Sequence, residues 1–298
     1  MTYARPQNRR ILWLLLAALS PPPAAACSTC ACGDNTITLM GAEKPFSGRL
    51  RSAVEFMTRS ESMGAGVDRE DVDEQRLNFG ASYSFNPAFT LGVVLPVVEK
   101  RLRTGTGEQQ NGRGLGDADL LGRVVLWQDT AQLPRHMAGL RAGVRLPTSQ
   151  EATDASGAPL EIDAQPDAGA TAPNLGAWYG YYAYPFFLSA SATYYSFHHG
   201  RQGFDPGETL IGSLTAQYGF PRFALQLGVD ARHASRNAED GVIDPDSGGT
   251  MLMGFGGAVL RLGSDFLVSA GVQVPVLDRL NGVQEERTSW RAGLAYDF

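Results

Sequence analysis

Three cysteines lie close together near the start of the chain, in the stretch ACSTCACGD. Cys27, Cys30 and Cys32 are the only cysteines of the sequence, and Asp34 follows them. Their thiolates could bind a soft or borderline ion such as Cu(I) or Zn(II). A disulfide that leaves one thiol over, or a lipid on Cys27, are the other two interpretations. No other cofactor is expected.

Charged side chains recur with a period of two inside otherwise apolar segments. The positions that share the polar face are Arg49, Arg51, Glu55, Arg76, Asp117, Asp119, Arg123, Arg141, Arg145, Asp230, Arg232, Arg287, Arg291 and Asp297. Arginines outnumber carboxylates in this set. If the polar faces enclose a channel, the charges either pair and stiffen its wall, or their basic surplus favours anionic and polar solutes.

Acidic residues also gather in three segments that separate the apolar ones. They are Glu61, Asp68, Glu70, Asp71, Asp73 and Glu74 in the first segment, Glu151, Asp154, Glu161, Asp163 and Asp167 in the second, and Glu239, Asp240, Asp244 and Asp246 in the third. We expect these carboxylates to be solvated. Divalent cations could bridge them to lipopolysaccharide phosphates, because hard ions prefer oxygen ligands.

One histidine and one serine invite a catalytic interpretation. His233 and Ser235 resemble the His-x-Ser pair that outer-membrane phospholipase A presents from a barrel strand. Activation of the serine would also need an orienting partner and an oxyanion site, and no asparagine is placed to serve as that partner. The sequence therefore favours a protein that is not an enzyme, with a lipase as a minor alternative.

The elements that must position these residues are strands. In the closing stretch RTSWRAGLAYDF, Trp290, Leu294 and Tyr296 alternate with polar residues, and a period of two indicates a strand with two different faces. Twelve segments carry this pattern: 46–58, 74–86, 88–101, 115–128, 136–147, 173–184, 186–198, 208–220, 222–235, 250–262, 264–276 and 286–298. The parity of the sixth, seventh and tenth segments is ambiguous.

The connections between these segments alternate between short and long. Tight turns such as Asn86-Pro87 and Phe220-Pro221 alternate with polar links at 59–73, 102–114, 148–172, 199–207, 235–249 and 277–285. This alternation is typical of outer-membrane barrels, and an even strand count puts both termini on the periplasmic side. The sequence therefore predicts an all-β, transmembrane antiparallel β-barrel of about 12 strands. Aromatic residues near the short turns would form the girdle at the membrane interface.

The first 26 residues differ from the rest of the chain. Arg9 and Arg10 precede the apolar run ILWLLLAAL, and SPPPAAA leads to Cys27; this order is typical of a secretory signal peptide. We therefore predict a signal peptide at 1–26, a periplasmic cysteine-containing leader at 27–45 and the barrel at 46–298. Loss of the three arginines of the signal changes the formal net charge from −6 to −9, which disfavours nucleic acid as a partner.

Two short stretches resemble a known family. GLGDADLLGRVVL at 114–126 and AGVRLPTSQ at 142–150 are similar to segments of the putative outer-membrane transporters grouped with meta-pathway phenol-degradation proteins. The resemblance implies a monomeric barrel that passes small molecules and carries no agreed catalytic residues. Ser149 departs from the glycine that this family tends to have at that position.

Together these features predict a channel in the outer membrane of a Gram-negative cell for passive passage of small solutes. A structural or metal-handling barrel that acts through Cys27, Cys30 and Cys32 is the alternative. The expected partners are outer-membrane lipid, lipopolysaccharide, small-molecule solutes and the barrel assembly machinery. The sequence does not indicate which solute passes.

Overall fold

The structure, a computed structural model, describes residues 47–298, which form a closed antiparallel barrel of twelve strands. The strands are β1 (Leu50–Met63), β2 (Glu70–Asn86), β3 (Phe89–Thr104), β4 (Gln109–Leu115 and Ala118–Gln128), β5 (His136–Leu146), β6 (Ala172–Ala183), β7 (Phe186–Tyr195), β8 (Thr209–Gly219), β9 (Phe223–Ala234), β10 (Gly249–Leu262), β11 (Phe266–Leu280) and β12 (Ser289–Asp297). A short segment, Gln284–Glu286, precedes β12 and also pairs with β1. The predicted fold class is confirmed.

Closure of the barrel is visible in the register of β1. This strand pairs with β2 on one side, where Leu50 opposes Tyr83, and with β12 on the other, where Arg51 opposes Asp297. Because every barrel strand has two neighbours, backbone N–H and C=O groups bond within the wall, as a bilayer requires. In residues 47–298, no helix has the length and apolar character needed to cross a membrane.

The two faces of the wall differ as the period of two predicts. On β9, Leu225 and Leu227 are 50% and 71% exposed on the outside, while Asp230 and Arg232 on the other parity are buried inside. The register also settles the parity of the ambiguous strands, because Trp178 of β6 opposes Ser191 of β7 and both face inward. The outside therefore presents an apolar band to lipid and the inside a polar lumen.

The outer ends of β1 to β4 extend beyond the predicted boundaries. The links expected at 59–73 and 102–114 are mostly strand, and only 64–69 and 105–108 connect these strands. Polar cross-strand pairs support the extension: Ser60 Oγ donates to Asp73 at 2.7 Å and Ser62 Oγ to Asp71 at 2.6 Å. The outward face is polar there, so the alternation of apolar and polar residues that marks a membrane-spanning strand is lost although the pairing continues.

Aromatic rings surround the end of the barrel that carries the short turns, here called the inner end. Phe220 and Phe223 stack with centroids 4.3 Å apart, and Tyr296 meets Phe298 edge-on at 4.6 Å. All four rings are exposed on the outside of the wall, where an interfacial girdle lies. Phe187 does not belong to this girdle, because it pairs with Gln217 on the inward parity.

One carboxylate closes the seam between β12 and β1. Asp297 accepts two hydrogen bonds from Arg49, both at 2.9 Å, and two from Arg51, at 2.7 and 2.6 Å. Both arginine side chains are 3% exposed and that of Asp297 is 15% exposed. Bidentate pairs of this kind combine strength with fixed geometry.

We expect Asp297→Asn to destabilise the closed barrel. The change leaves two buried guanidiniums without their carboxylate, and removal of one partner from a buried pair costs about 3–5 kcal/mol; the partial exposure of Asp297 lowers the expected loss to about 2 kcal/mol. Heat-modifiability on gels and thermal circular dichroism measure this loss. Asp265→Asn, at an exposed carboxylate of the β10–β11 turn, is the matched control. An unchanged melting temperature would contradict the role of the seam.

Candidate functional site: the barrel lumen

The long connection between β5 and β6, residues 147–171, folds into the outer half of the lumen. Leu160 and Ala164 of this loop pack with Met63, Val72 and Leu102 on the inward faces of β1 to β3. Gln165, which is 0% exposed, holds the loop together: its Oε1 accepts the Ala152 N–H at 2.7 Å and its Nε2 donates to the Leu160 carbonyl at 2.8 Å. We call residues 147–171 the lumen loop.

Asp117 fastens both ends of the lumen loop to the wall. It lies in the break within β4, where Oδ1 accepts the Ser149 N–H at 3.0 Å and Oδ2 accepts the Gly169 N–H at 2.9 Å. Thr148 adds two contacts, because its Oγ1 accepts from the Ala118 N–H and donates to the Gly116 carbonyl. The carboxylate therefore anchors a loop in addition to facing the lumen.

Charged side chains in the outer half of the lumen form a band that we call the charge belt. Its members are Arg59, Glu61, Glu74, Arg76, Lys100, Asp119, Arg145, Asp167, Arg232 and Glu286. Arg59 donates to Glu61 at 2.6 Å and to Glu286 at 2.8 Å. The band contains five cations and five carboxylates. It therefore fits the interpretation in which lumen charges pair with one another and stiffen the wall.

The charge belt also binds the lumen loop. Arg76 donates through Nε to Glu74 at 2.7 Å and through Nη1 to Asp167 at 3.1 Å. Asp167 is 5% exposed and additionally accepts the Asp117 N–H at 3.1 Å. An ion pair buried at this depth is strongly destabilised when one partner is removed. Asp167 therefore ties the loop to the wall.

Three carboxylates that we expected to be solvated lie buried in the lumen instead. Glu61 is 2% exposed, Glu74 5% and Asp167 5%. The expectation was wrong for two reasons: β1 and β2 continue outward with Glu61 and Glu74 on the inward parity, and the lumen loop carries Asp167 inward. The inward parity of β1, continued past its predicted end, would have found Arg59 and Glu61; nothing in the sequence pointed to Asp167.

Carboxylates of two outer loops remain near the surface and repel one another. Burial raises the pKa of Asp244, and the nearby Asp163 raises it further. Burial also raises the pKa of Glu161, to which Glu108 and Asp163 add. An acid whose pKa is raised by packing favours the packed state as the pH falls through that pKa, and weakens it above. Packing of these loops should therefore tighten toward acidic pH.

The inner half of the lumen has an excess of positive charge. Four of its guanidiniums, which we call the arginine cluster, are Arg49, Arg51, Arg123 and Arg141. Asp297 is the carboxylate that the first two share. Arg123 and Arg141 are direct cross-strand partners on β4 and β5, an arrangement that is destabilising for like charges unless something compensates it.

The indole ring of Trp178 lies against the guanidinium of Arg123. The guanidinium carbon is 5.1 Å from the centroid of the Trp178 ring, within the range of a cation–π contact. Trp178 reaches across β5 to donate from Nε1 to the Val124 carbonyl at 3.2 Å. Gly139 permits this reach, since a Cβ there would lie 2.9 Å from Trp178 Nε1 and 1.8 Å from the Val124 oxygen.

A cavity of about 360 Å³ opens in the inner half of the barrel. The residues that line it include Arg51, Glu55, Ser213, Thr215, Gln226 and Arg291. Asp230 also borders it, 3.9 Å from Arg291 and hydrogen-bonded to Gln273. Hydroxyl, amide and charged groups in a space of this size suit a small polar solute.

Of the residues predicted to line the lumen, Arg287 is the one that the structure places elsewhere. Glu286 opposes Glu61, and Trp290 opposes Thr58. Trp290 is four residues after Glu286, whereas Thr58 is three residues before Glu61, and the extra residue makes a β-bulge. This bulge turns the side chain outward, where Arg287 is 46% exposed and lies 3.7 Å from Asp71. The other predicted residues face the lumen, including Arg232, which is 3% exposed.

The two catalytic candidates, His233 and Ser235, form hydrogen bonds to different partners. His233 faces outward and its Nδ1 lies 2.8 Å from Thr250 Oγ1, while the Ser235 hydroxyl donates to the Glu208 carbonyl at 3.4 Å. Within 47–298, no three His, Cys, Asp or Glu side chains are grouped to hold a metal ion. Cys27, Cys30 and Cys32, the signal peptide and the leader lie outside the described residues, so those expectations stay predictions.

The fold and its apolar outer band define the class of this protein: it is a bacterial outer-membrane β-barrel with a polar lumen. Among solved structures, the chain resembles an outer membrane channel from Pseudomonas putida F1, with a TM-score of 0.65 and 13% identity over 86% of this chain and 98% of that one. The translocator domain of the autotransporter NalP from Neisseria meningitidis gives a TM-score of 0.50 and 12% identity, over 86% of this chain and 91% of that one.

These similarities concern the fold, because the identities are low. No protein family profile matches the sequence. No curated protein matches it either.

Proposed function

We propose that this barrel is a channel for passive diffusion of small solutes, with a preference for anions, and that it is not an enzyme. The observation that carries the proposal is the arginine cluster, four guanidiniums in the inner half of the lumen, of which Arg49 and Arg51 share the carboxylate of Asp297. Confined arginines raise the local concentration of anions, because the low-dielectric wall screens them poorly.

The lumen loop narrows the outer half of the channel. This segment packs on the inward faces of β1 to β3 and is held by Asp117 and Asp167. The cavity in the inner half has a volume of about 360 Å³, which suits a solute of a few heavy atoms up to a small organic acid. Larger solutes would require the loop to move.

We infer that the chain belongs with the putative transporters grouped with meta-pathway phenol-degradation proteins. The support is that the two stretches that carry the resemblance meet in space: Asp117 of the first accepts the backbone N–H of Ser149 in the second. That contact uses the backbone N–H of residue 149, which glycine also has, so the departure from glycine at this position leaves the contact in place.

The proposed partners follow from the surface. The apolar band and the aromatic girdle suit outer-membrane lipid, and outer carboxylates such as Asp68 and Glu151 would approach lipopolysaccharide through divalent cations. Insertion would use the barrel assembly machinery that folds proteins of this class.

Reversal potentials in planar bilayers test the proposal. Under a potassium chloride gradient we expect the wild-type channel to pass chloride more readily than potassium, although the whole protein is acidic, since the permeating ion meets the lumen and not the outer surface. A cation preference that persists when the arginines are neutralised, or an absence of conductance, would refute it.

A further inference from the structure

Arg123 lies directly opposite Arg141, and two of its buried N–H groups have no acceptor in the described part of the chain. Nε and Nη2 of Arg123 are buried and have no hydrogen-bond partner among residues 47–298. Arg141, Arg49 and Arg51 act on this guanidinium with charges of the same sign. A buried donor without an acceptor, repelled by its neighbours, is costly unless a ligand supplies negative charge.

The carboxylate of Asp297 is already bound by two other arginines. Asp297 receives both arms of Arg49 and of Arg51, so it offers no further bidentate face to Arg123. Arg123 instead lies over the Trp178 ring, 5.1 Å from its centroid. That contact places the cation over the ring but accepts no N–H. The unsatisfied donors of a planar guanidinium fork match two oxygens of a carboxylate.

Aromatic groups border the same part of the lumen. Tyr182 acts electrostatically on Arg123, and its ring centroid is 5.1 Å from that of Phe187. Both residues are cross-strand partners on the inward faces of β6 and β7. If the oxygens of a ligand bound Arg123, the apolar part of that ligand would lie beside the rings of Tyr182 and Phe187.

We propose that Arg123 and Arg141 form a binding site for the carboxylate of a small organic acid, whose apolar part contacts Trp178 and Tyr182. This site would give the proposed channel a preferred class of ligand. It rests on the proposed function because the ligand would reach the site through the channel. Binding neutralises the cross-strand repulsion and satisfies the buried donors of Arg123. An acid with a short apolar chain uses both features, whereas phosphate uses only the first.

Tryptophan fluorescence tests the site without any measurement of transport. The sequence has four tryptophans, at 13, 127, 178 and 290. Replacing Trp13, Trp127 and Trp290 by phenylalanine leaves Trp178 as the reporter beneath Arg123. Iodide, an anionic quencher, should quench this tryptophan efficiently, and propanoate should protect it at concentrations at which phosphate does not. Acrylamide, which is neutral, reports general access to the ring.

In this background we expect Arg123→Gln to lower the iodide quenching constant at least about threefold, because it removes the nearest positive charge, and to abolish protection by propanoate. Acrylamide quenching should stay the same. Arg123→Lys, which keeps the charge and loses the fork, should retain iodide quenching and lose most of the protection. Arg261→Gln removes one charge from an exposed position that lines the inner cavity and is the matched control.

Equal loss of iodide quenching in Arg261→Gln, unchanged quenching in Arg123→Gln, or equal protection by phosphate would overturn the proposed site. Heat-modifiability on gels verifies that each variant forms the barrel. If Arg123→Gln does not fold, Arg141→Gln replaces it with the same expected outcomes. Quenching is measured in detergent at equilibrium, so a channel that conducts but shows no protection refutes this site alone, and protection without conductance refutes the channel alone.

Discussion

Replacing Asp167 by asparagine is expected to raise the single-channel conductance several-fold. In the wild type the lumen loop occupies the outer half of the barrel, and Asp167 joins it to Arg76 with a bond of 3.1 Å. Removal of one partner from a buried ion pair costs about 3–5 kcal/mol. Asparagine can still accept the Asp117 N–H, so we take the lower end of that range.

A loss of about 3 kcal/mol weakens the docking of the loop by roughly a hundredfold, because each 1.4 kcal/mol is a factor of about ten. Leu160, Ala164 and Gln165 still hold the loop, so the variant should alternate between a docked and a released loop. Brief openings of higher conductance and faster cleavage of residues 147–171 by an added protease are the expected signals.

Gly112→Ala tests the same motion without a change of charge. An added Cβ at Gly112 would lie 1.8 Å from the Ala164 carbonyl oxygen, so the loop cannot pack against β4 as it does in the wild type. Asp154→Asn is the matched control for the charge change, because the Asp154 carboxylate accepts hydrogen bonds within its own turn, from Ser156, Gly157 and Ala158. If neither Asp167→Asn nor Gly112→Ala differs from the control in conductance and cleavage, the lumen loop does not limit passage.

The period of two predicted most of this fold from the sequence because a lipid-facing strand must alternate. The rule holds only where one face meets lipid. Beyond Thr58 and before Glu74 the outward face of the β1–β2 hairpin carries polar side chains such as Ser60 and Asp73, and the predicted ends were therefore several residues short. The same rule misplaced Arg287, because a bulge shifts the parity by one without leaving a mark in the local sequence.

The pairing of charges in the lumen could not be predicted from the alternation of residues alone. Which charges neutralise one another depends on the register and on the path of the lumen loop, neither of which a single sequence specifies. Asp167 is 91 residues from Arg76, and Trp178 passes over Gly139 to reach β4. The sequence therefore predicted a basic lumen, while the division into a neutral charge belt and a basic arginine cluster became visible only in the structure.

That division yields the second large expectation: Arg123→Gln together with Arg141→Gln should remove most of the anion preference. Two unit charges act on an ion at about 5 Å with roughly 3 kcal/mol each at the effective dielectric of about 20 that suits proteins. Salt and relaxation of the wall reduce this sum, and we expect the ratio of chloride to potassium permeability to fall about tenfold. Reversal potentials across a potassium chloride gradient measure the change.

Arg145→Gln together with Asp119→Asn is the matched control for this double variant. The pair is joined by bonds of 3.0 and 2.9 Å in the charge belt, so the control alters two lumen residues and leaves the net charge unchanged. It should change the conductance without moving the reversal potential. If instead the Arg123 and Arg141 variant keeps the wild-type reversal potential, the charge that selects ions does not reside on Arg123 and Arg141.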